Sequence, residues 1–371
     1  MGSEAKNGKI MTKPDLYQTS IRIIQQNQAP TGAYVASPTF SQYGYSWLRD
    51  GMWIAYGMDS VGDHLSATRF HQWVGRTVMR YEAQVHALLG KIQRAEPILE
   101  TDYLPTRFTL DSDLGEEEWP NFQLDGYGAW LWGAVDHCQH HNPALWAELR
   151  PAVKLVVDYL QALWHMPNYD CWEEFRDKIH LSTLAALYGG LSAVHAHDAE
   201  LVSAKTISAI QKFALTNGIA PDGHFMKFLG NPEVDANLLW LAIPYNMVDI
   251  HHPAFTKTLE KIERDIYYPH GGVYRYRADT YFGGGEWLLL TCWLAWAYLQ
   301  LGRVDEAKNL IAWVEAQATL TGEMPEQTHD HPLDADYYQP WVDKWGTSAC
   351  PLLWSHAMYL IVISQLKAHS S

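Results

Sequence analysis

The sequence predicts an all-α protein built as two concentric rings of helices, and three observations carry that reading. Segments with apolar residues at helical spacing follow one another along a chain of 371 residues. Segments apolar on every side alternate with segments wet on one face, as a buried inner ring and a half-solvated outer ring require. Strand signals are few, Gly272 to Tyr276 being a short stretch that reads as strand or turn. About twelve helices in this order imply an (α/α)6 barrel.

The elements are expected in the following order. A first helix runs from about Asp15 to Gln26, and a Gly/Ser/Tyr-rich loop leads to a second from about Trp47 to Met58. His64 to about Gln93 carries Phe70, Trp73, Val74, Val78, Val85, Leu88 and Leu89 at helical spacing. After a long loop with the acidic run Glu116-Glu117-Glu118, read as a solvated turn, come Phe122 to His140 and Pro143 to Trp164. Pro151 marks a break or kink in the latter. Leu181 to Val194, Val234 to Tyr245, Trp287 to Leu301 and Pro351 to Leu366 are apolar and belong inside. Ala199 to Leu215, Pro253 to Tyr267 and Val304 to Leu320 have one charged side and belong outside. With no repeat or low-complexity linker, residues 15–368 read as one domain. Residues 1–14 read as a disordered, polar segment, partly an expression scar, with Met11 a candidate native start.

Composition narrows the function. Asp+Glu 42 against Lys+Arg 27 gives a formal charge of -15, which argues against nucleic acid and anionic membrane surfaces as partners. No apolar run is long enough to span a bilayer, and no leader-like apolar segment opens the chain. Cys138, Cys171, Cys292 and Cys350 are scattered without metal-ligand spacing, so reduced thiols in a cytoplasmic setting are expected. His137, His140 and His141, and His251 and His252, fall near helix ends, where solvated or capping histidines are ordinary, so no metal is assigned. The outlying figure is aromatic: 17 Trp and 21 Tyr, whose flat faces and polar tips suit a sugar ring.

Polar and aromatic residues recur just before the inner helices. They stand in Tyr43-Gly44-Tyr45-Ser46-Trp47-Leu48-Arg49-Asp50 and in Trp119 to Asp125. They recur in Tyr169-Asp170-Cys171-Trp172-Glu173-Glu174, in Arg275-Tyr276-Arg277-Ala278-Asp279-Thr280-Tyr281 and in Met324-Pro325-Glu326-Gln327. Each alone reads equally well as a helix cap or first-turn acid. In a helical barrel they converge at one end and form one pocket. Two carboxylates among planar rings are what cleavage of a glycosidic bond uses.

Taken in order, these motifs resemble the catalytic domain of glycoside hydrolase family 15, the glucoamylase family, from about Tyr43 to Trp354. The resemblance implies an (α/α)6 barrel with Glu173 as general acid and Glu326 as general base. It implies substrate-binding roles for Tyr43, Trp47, Arg49, Asp50, Trp119, Asp125, Trp172, Glu174, Arg275 and Trp354. Inversion by water needs the two carboxyls roughly 6.5–9.5 Å apart, one protonated and one ionised. Glu173 in an aromatic surround is expected to hold a proton, and Glu326 in a polar loop to ionise. No metal or organic cofactor is implied. Leu124 departs from the arginine of fungal members, which leaves contacts beyond the first glucose open. The expected activity is release of glucose from short α-glucosides, isomaltose-type ahead of maltooligosaccharides. A trehalase of the same family and a non-catalytic carbohydrate-sensing protein on the same barrel are the rivals.

Overall fold

The computed structural model describes residues 15–369, so the reading of residues 1–14 lies outside the described chain. Asp15 opens α1 (Leu16–Gln26) by accepting the Gln18 N–H. A two-residue strand β1 (Ser46–Trp47) leads directly into α2 (Leu48–Ser60), followed by α3 (His64–Arg80) and α4 (Glu82–Gln93). A second short strand, β2 (Arg107–Phe108), pairs antiparallel with β1. Then come α5 (Asp125–His140), α6 (Trp146–Leu163), α7 (Leu181–His197) and α8 (Ala204–Asn217). A 3-10 segment (Ala236–Leu241) precedes α9 (Pro253–Asp265), α10 (Leu288–Gln300), α11 (Val304–Ala316), α12 (Tyr338–Trp345) and α13 (Leu353–His369).

The packing closes a ring. α2 packs on α5, α5 on α7, α7 on the 3-10 segment, that segment on α10, α10 on α13, and α13 back on α2. Outside it, α1 covers α13, α3 covers α2, α6 covers α5, α8 covers α7, α9 covers the 3-10 segment and α11 covers α10. This is the (α/α)6 barrel. Its interior is filled by aromatics: Trp53 of α2 meets Trp240 and Trp293 across the ring at 6.1 Å between centroids. Helices α5 and α7 touch backbone to backbone. A Cβ on Gly190 would lie 2.2 Å from the Gly128 carbonyl oxygen, so only glycine permits that approach.

Four elements differ from expectation. The stretch from His64 to Gln93 is two helices, broken where Tyr81 leaves helical geometry and packs its ring on Phe108. The fourth inner position is the 3-10 segment, not an α-helix from Val234 to Tyr245. Pro244 removes the N–H that would continue a helix, and Asp235 binds the Asn237 N–H at the other end. α5 starts at Asp125, because Phe122 is held in the preceding loop by the bond from Tyr169 N–H to its carbonyl. Finally, the stretch between the helices expected at Val304 to Leu320 and Pro351 to Leu366 contains a further helix, α12. Pro151, by contrast, is accommodated inside α6.

Other features fall as expected. Among the described residues no helix is long and apolar enough to cross a membrane. All four cysteines are unpaired. His252 caps α9, its Nδ1 accepting the Ala254 N–H. His137 does not fit the reading of a solvated or capping residue: it is wholly buried against Asp59.

Candidate active site

The loops before the inner helices converge on one pocket of about 350 Å³. Tyr43, Trp47, Arg49, Asp50, Trp119, Trp172, Glu173, Glu174, Arg275, Glu326 and Trp354 all line it. Asp125 does not. It is fully buried behind Arg49 and accepts from its Nη1 at 3.0 Å, so its contact is with the guanidinium and not with the cavity. Arg49 is further held by Gln123 Oε1 at 3.0 Å and lies 3.6 Å from Asp50. Burial, partly offset by Arg49, pushes the Asp50 carboxyl up to about 6.

Glu173 sits in an irregular loop, not in a helical first turn, with its backbone in the left-handed region at φ 67°. That conformation is unfavourable for a side chain bearing Cβ and needs support. Asp170 supplies it. Its buried Oδ1 accepts the N–H of Trp172 at 3.0 Å and of Glu174 at 2.9 Å, and its carbonyl accepts the Glu173 N–H. The Glu173 side chain then reaches three donors with one oxygen: Trp47 Nε1 at 2.8 Å, Trp119 Nε1 at 2.9 Å and Gln123 Nε2 at 3.1 Å. The aromatic surround therefore presents N–H edges to Glu173, not only apolar faces as expected from sequence. An oxygen accepting three N–H groups has no room for a proton, so a protonated Glu173 carries it on Oε2.

Glu326 contrasts with it. It is 2% exposed, so the polar loop in which it was expected to ionise freely is closed over it. Tyr43 donates to its Oε1 at 3.0 Å and Ser348 to its Oε2 at 3.3 Å. Burial raises its carboxyl to about 7, with the Tyr43 hydrogen bond and the Arg275 charge opposing. Tyr43 also meets the Tyr281 hydroxyl at 2.9 Å and the Trp47 ring edge-on, so one aromatic chain links the surroundings of both carboxyls.

Glu174 points to a second set of partners. Tyr276 donates to it at 2.5 Å, and Arg275 approaches to 3.5 Å while remaining paired with Asp279. Arg275 lies among the rings of Trp172, Tyr281 and Trp287, each centroid 5.2–5.4 Å from its guanidinium carbon.

Several lining or supporting residues were not singled out from sequence. Gln123 and Tyr281 stand within the motifs Trp119 to Asp125 and Arg275 to Tyr281. Arg107 is sandwiched between Trp119 at 3.6 Å and Tyr45 at 4.0 Å and paired with Glu117, in the long loop of which the sequence marks only the acidic run, as a solvated turn. Trp341, Lys344 and Trp345 come from α12, whose ordered structure was not expected.

The isomaltose glucohydrolase of Kribbella flavida is 39% identical over 359 residues, covering 95% of this chain and 92% of that protein. A wild-type glycosidase of solved structure superposes with a TM-score of 0.91 at 39% identity, covering 95% of this chain and 96% of that one. Trehalase 1 of Sulfolobus acidocaldarius is more distant, at 24% over 329 residues, 82% of this chain and 57% of that protein. The family model of the glycosyl hydrolases family 15 matches residues 12–364, which takes in both carboxylates and all the loops that line the pocket. The protein is a glycoside hydrolase, and the chain belongs to glycosyl hydrolases family 15.

Proposed function

We propose that residues 15–368 form one catalytic domain that removes β-glucose from the non-reducing end of short α-glucosides with inversion, isomaltose and isomaltooligosaccharides ahead of maltooligosaccharides. The observation that carries this reading is the different satisfaction of two carboxyls lining one pocket. Glu173 offers only Oε2 for a proton, and Glu326 is a buried carboxyl braced by two hydroxyls. In the proposed step Glu173 delivers its Oε2 proton to the glycosidic oxygen as the bond to the anomeric carbon breaks. Glu326 takes a proton from a water that attacks the opposite face, which inverts that carbon. Arg49 and Asp50 hold hydroxyls of the terminal glucose. Trp47, Trp119, Trp172 and Trp354 wall the ring, Tyr43 lies beside the developing positive charge, and Glu174 with Arg275 contacts the leaving sugar.

The preference for isomaltose rests on the 39% identity to an isomaltose glucohydrolase. The unpaired thiols support a cytoplasmic setting. The test is a panel of isomaltose, maltose and trehalose with the released anomer followed by NMR. β-Glucose released fastest from isomaltose is expected. α-Glucose as first product would overturn inversion, trehalose cleaved fastest would make the chain a trehalase, and no release from any sugar would favour the sensing protein.

A further inference from the structure

Where the last turns of α2 and α5 meet the middle of α3, the chain gathers a second cluster that the hydrolytic site does not use. Asp59 lies nine residues after Asp50 on α2, about 14 Å along the helix at ~1.5 Å per residue. Asp59, His71 and His137 are 6%, 1% and 0% exposed and come from three different helices. Each offers a ligating atom, and these atoms lie within 4.8 Å of one another.

A plain hydrogen-bonded pair accounts for only part of this. Asp59 Oδ2 meets His137 Nδ1 at 2.8 Å, and His137 Nε2 meets the Thr68 hydroxyl at 2.8 Å. His71 is left over: its Nδ1 is buried with no hydrogen-bond partner, while its ring lies 5.1 Å from that of His137. A buried polar atom without a partner is unfavourable, so a bound ligand that satisfies it would have a standing advantage. The sequence reading, which weighed His137 only with His140 and His141, missed both Asp59 and His71.

We infer that Asp59, His71 and His137 bind one divalent transition-metal ion of the zinc class. Two imidazoles and a carboxylate suit zinc, and ligand atoms around tetrahedral zinc lie about 3.3 Å apart, a closing that side-chain torsions can span from the present separations. The Thr68 hydroxyl can accept as readily as donate, so it can hold His137 with Nε2 protonated and Nδ1 turned to the metal. The other oxygen of Asp59 faces His64 Nδ1 at 2.9 Å, and His64 stacks on the exposed His141 at 4.1 Å. This outer group gives an entering ion a solvent-side path. The bound ion would fasten α2, α3 and α5 together at the end of the barrel opposite the pocket.

The test uses the full chain, stripped with chelator, dialysed against buffered zinc and assayed for metal content and melting temperature. One equivalent of zinc retained, with a rise in Tm that chelator reverses, is expected. His71→Gln should weaken retention at least ~10-fold, as loss of even an indirect partner typically does. Its circular dichroism and isomaltose hydrolysis should match the parent, and His251→Gln should leave retention unchanged. X-ray absorption on zinc bound to the unmodified chain, which does not depend on any variant folding, should read two imidazoles. No retained zinc, retention unaltered in His71→Gln, loss in His141→Gln alone, or a zinc shell without imidazole would each overturn the assignment.

Discussion

The Tyr43 hydroxyl donates to Oε1 of Glu326 across 3.0 Å and is itself 2.9 Å from the Tyr281 hydroxyl. Tyr43 thereby opposes the burial that lifts Glu326 to about 7. If Glu326 is the general base proposed above, it works only when ionised, so kcat/KM should fall as pH drops through about 7, the loss following protonation of Glu326. Tyr43→Phe removes a hydrogen bond that favours the charged form. The acid limb of the profile should then move upward by about one pH unit, since one unit corresponds to about 1.4 kcal/mol. A profile of Tyr43→Phe superimposable on the parent would separate Tyr43 from the ionisation of Glu326.

Glu173 depends on its three N–H donors for aim rather than for charge alone. Replacing Trp47 by Phe keeps most of the ring and removes the 2.8 Å bond, leaving Trp119 and Gln123 on the same oxygen. We expect kcat for isomaltose to fall about 10-fold, and by about 10²–10⁴ in Glu173→Gln, where the proton itself is lost. KM should change little in Glu173→Gln. Steady-state kinetics on both variants provides the check, and near-parental turnover of Glu173→Gln would remove the acid assignment.

Asp170 carries no direct contact with the pocket, yet it holds the left-handed turn at Glu173 through two backbone N–H groups. Asp170→Ala leaves those groups unpaired in a buried loop. Stability should drop by about 2–3 kcal/mol, read from denaturant unfolding. The kcat of the folded fraction should also drop, because Glu173 is no longer fixed. Stability lost with kcat intact would mean that the turn persists without its clamp.

The ring order of helices was legible because burial on all sides leaves a different residue pattern from burial on one. The loops converging on the pocket were legible because polar and aromatic residues recur at one phase of that order. What escaped were effects that depend on neighbours distant in the chain. Tyr81 leaves its helix to meet Phe108, and Phe122 is held outside α5 by the Tyr169 N–H. Glu326 looks solvated beside Gln327 until Tyr43 and Ser348, from two other loops, close over it. Asp125 and Arg49 stand next to pocket motifs in sequence, but only packing shows that one lines the cavity and the other backs it.

Glu174 is the adjacent carboxylate with a different fate from Glu173, and it offers a test of specificity. Its side chain is 31% exposed, braced by Tyr276 and near Arg275, whose charge is already balanced by Asp279. Oε1 accepts only a long contact from Arg275 at 3.5 Å and Oε2 the Tyr276 hydroxyl, so each keeps a lone pair for a hydroxyl of a leaving sugar without first breaking a strong ion pair. Glu174→Gln preserves shape and the Tyr276 contact but weakens such acceptance. If Glu174 contacts only the leaving sugar, kcat/KM for isomaltose should fall about 10-fold, equivalent to one charge-assisted hydrogen bond. Hydrolysis of an aryl α-glucoside, whose leaving group offers no hydroxyls, should change less than threefold on the same argument. Equal losses on both substrates would instead place Glu174 among the groups that support Glu173, and the comparison needs only the two kinetic constants on one variant.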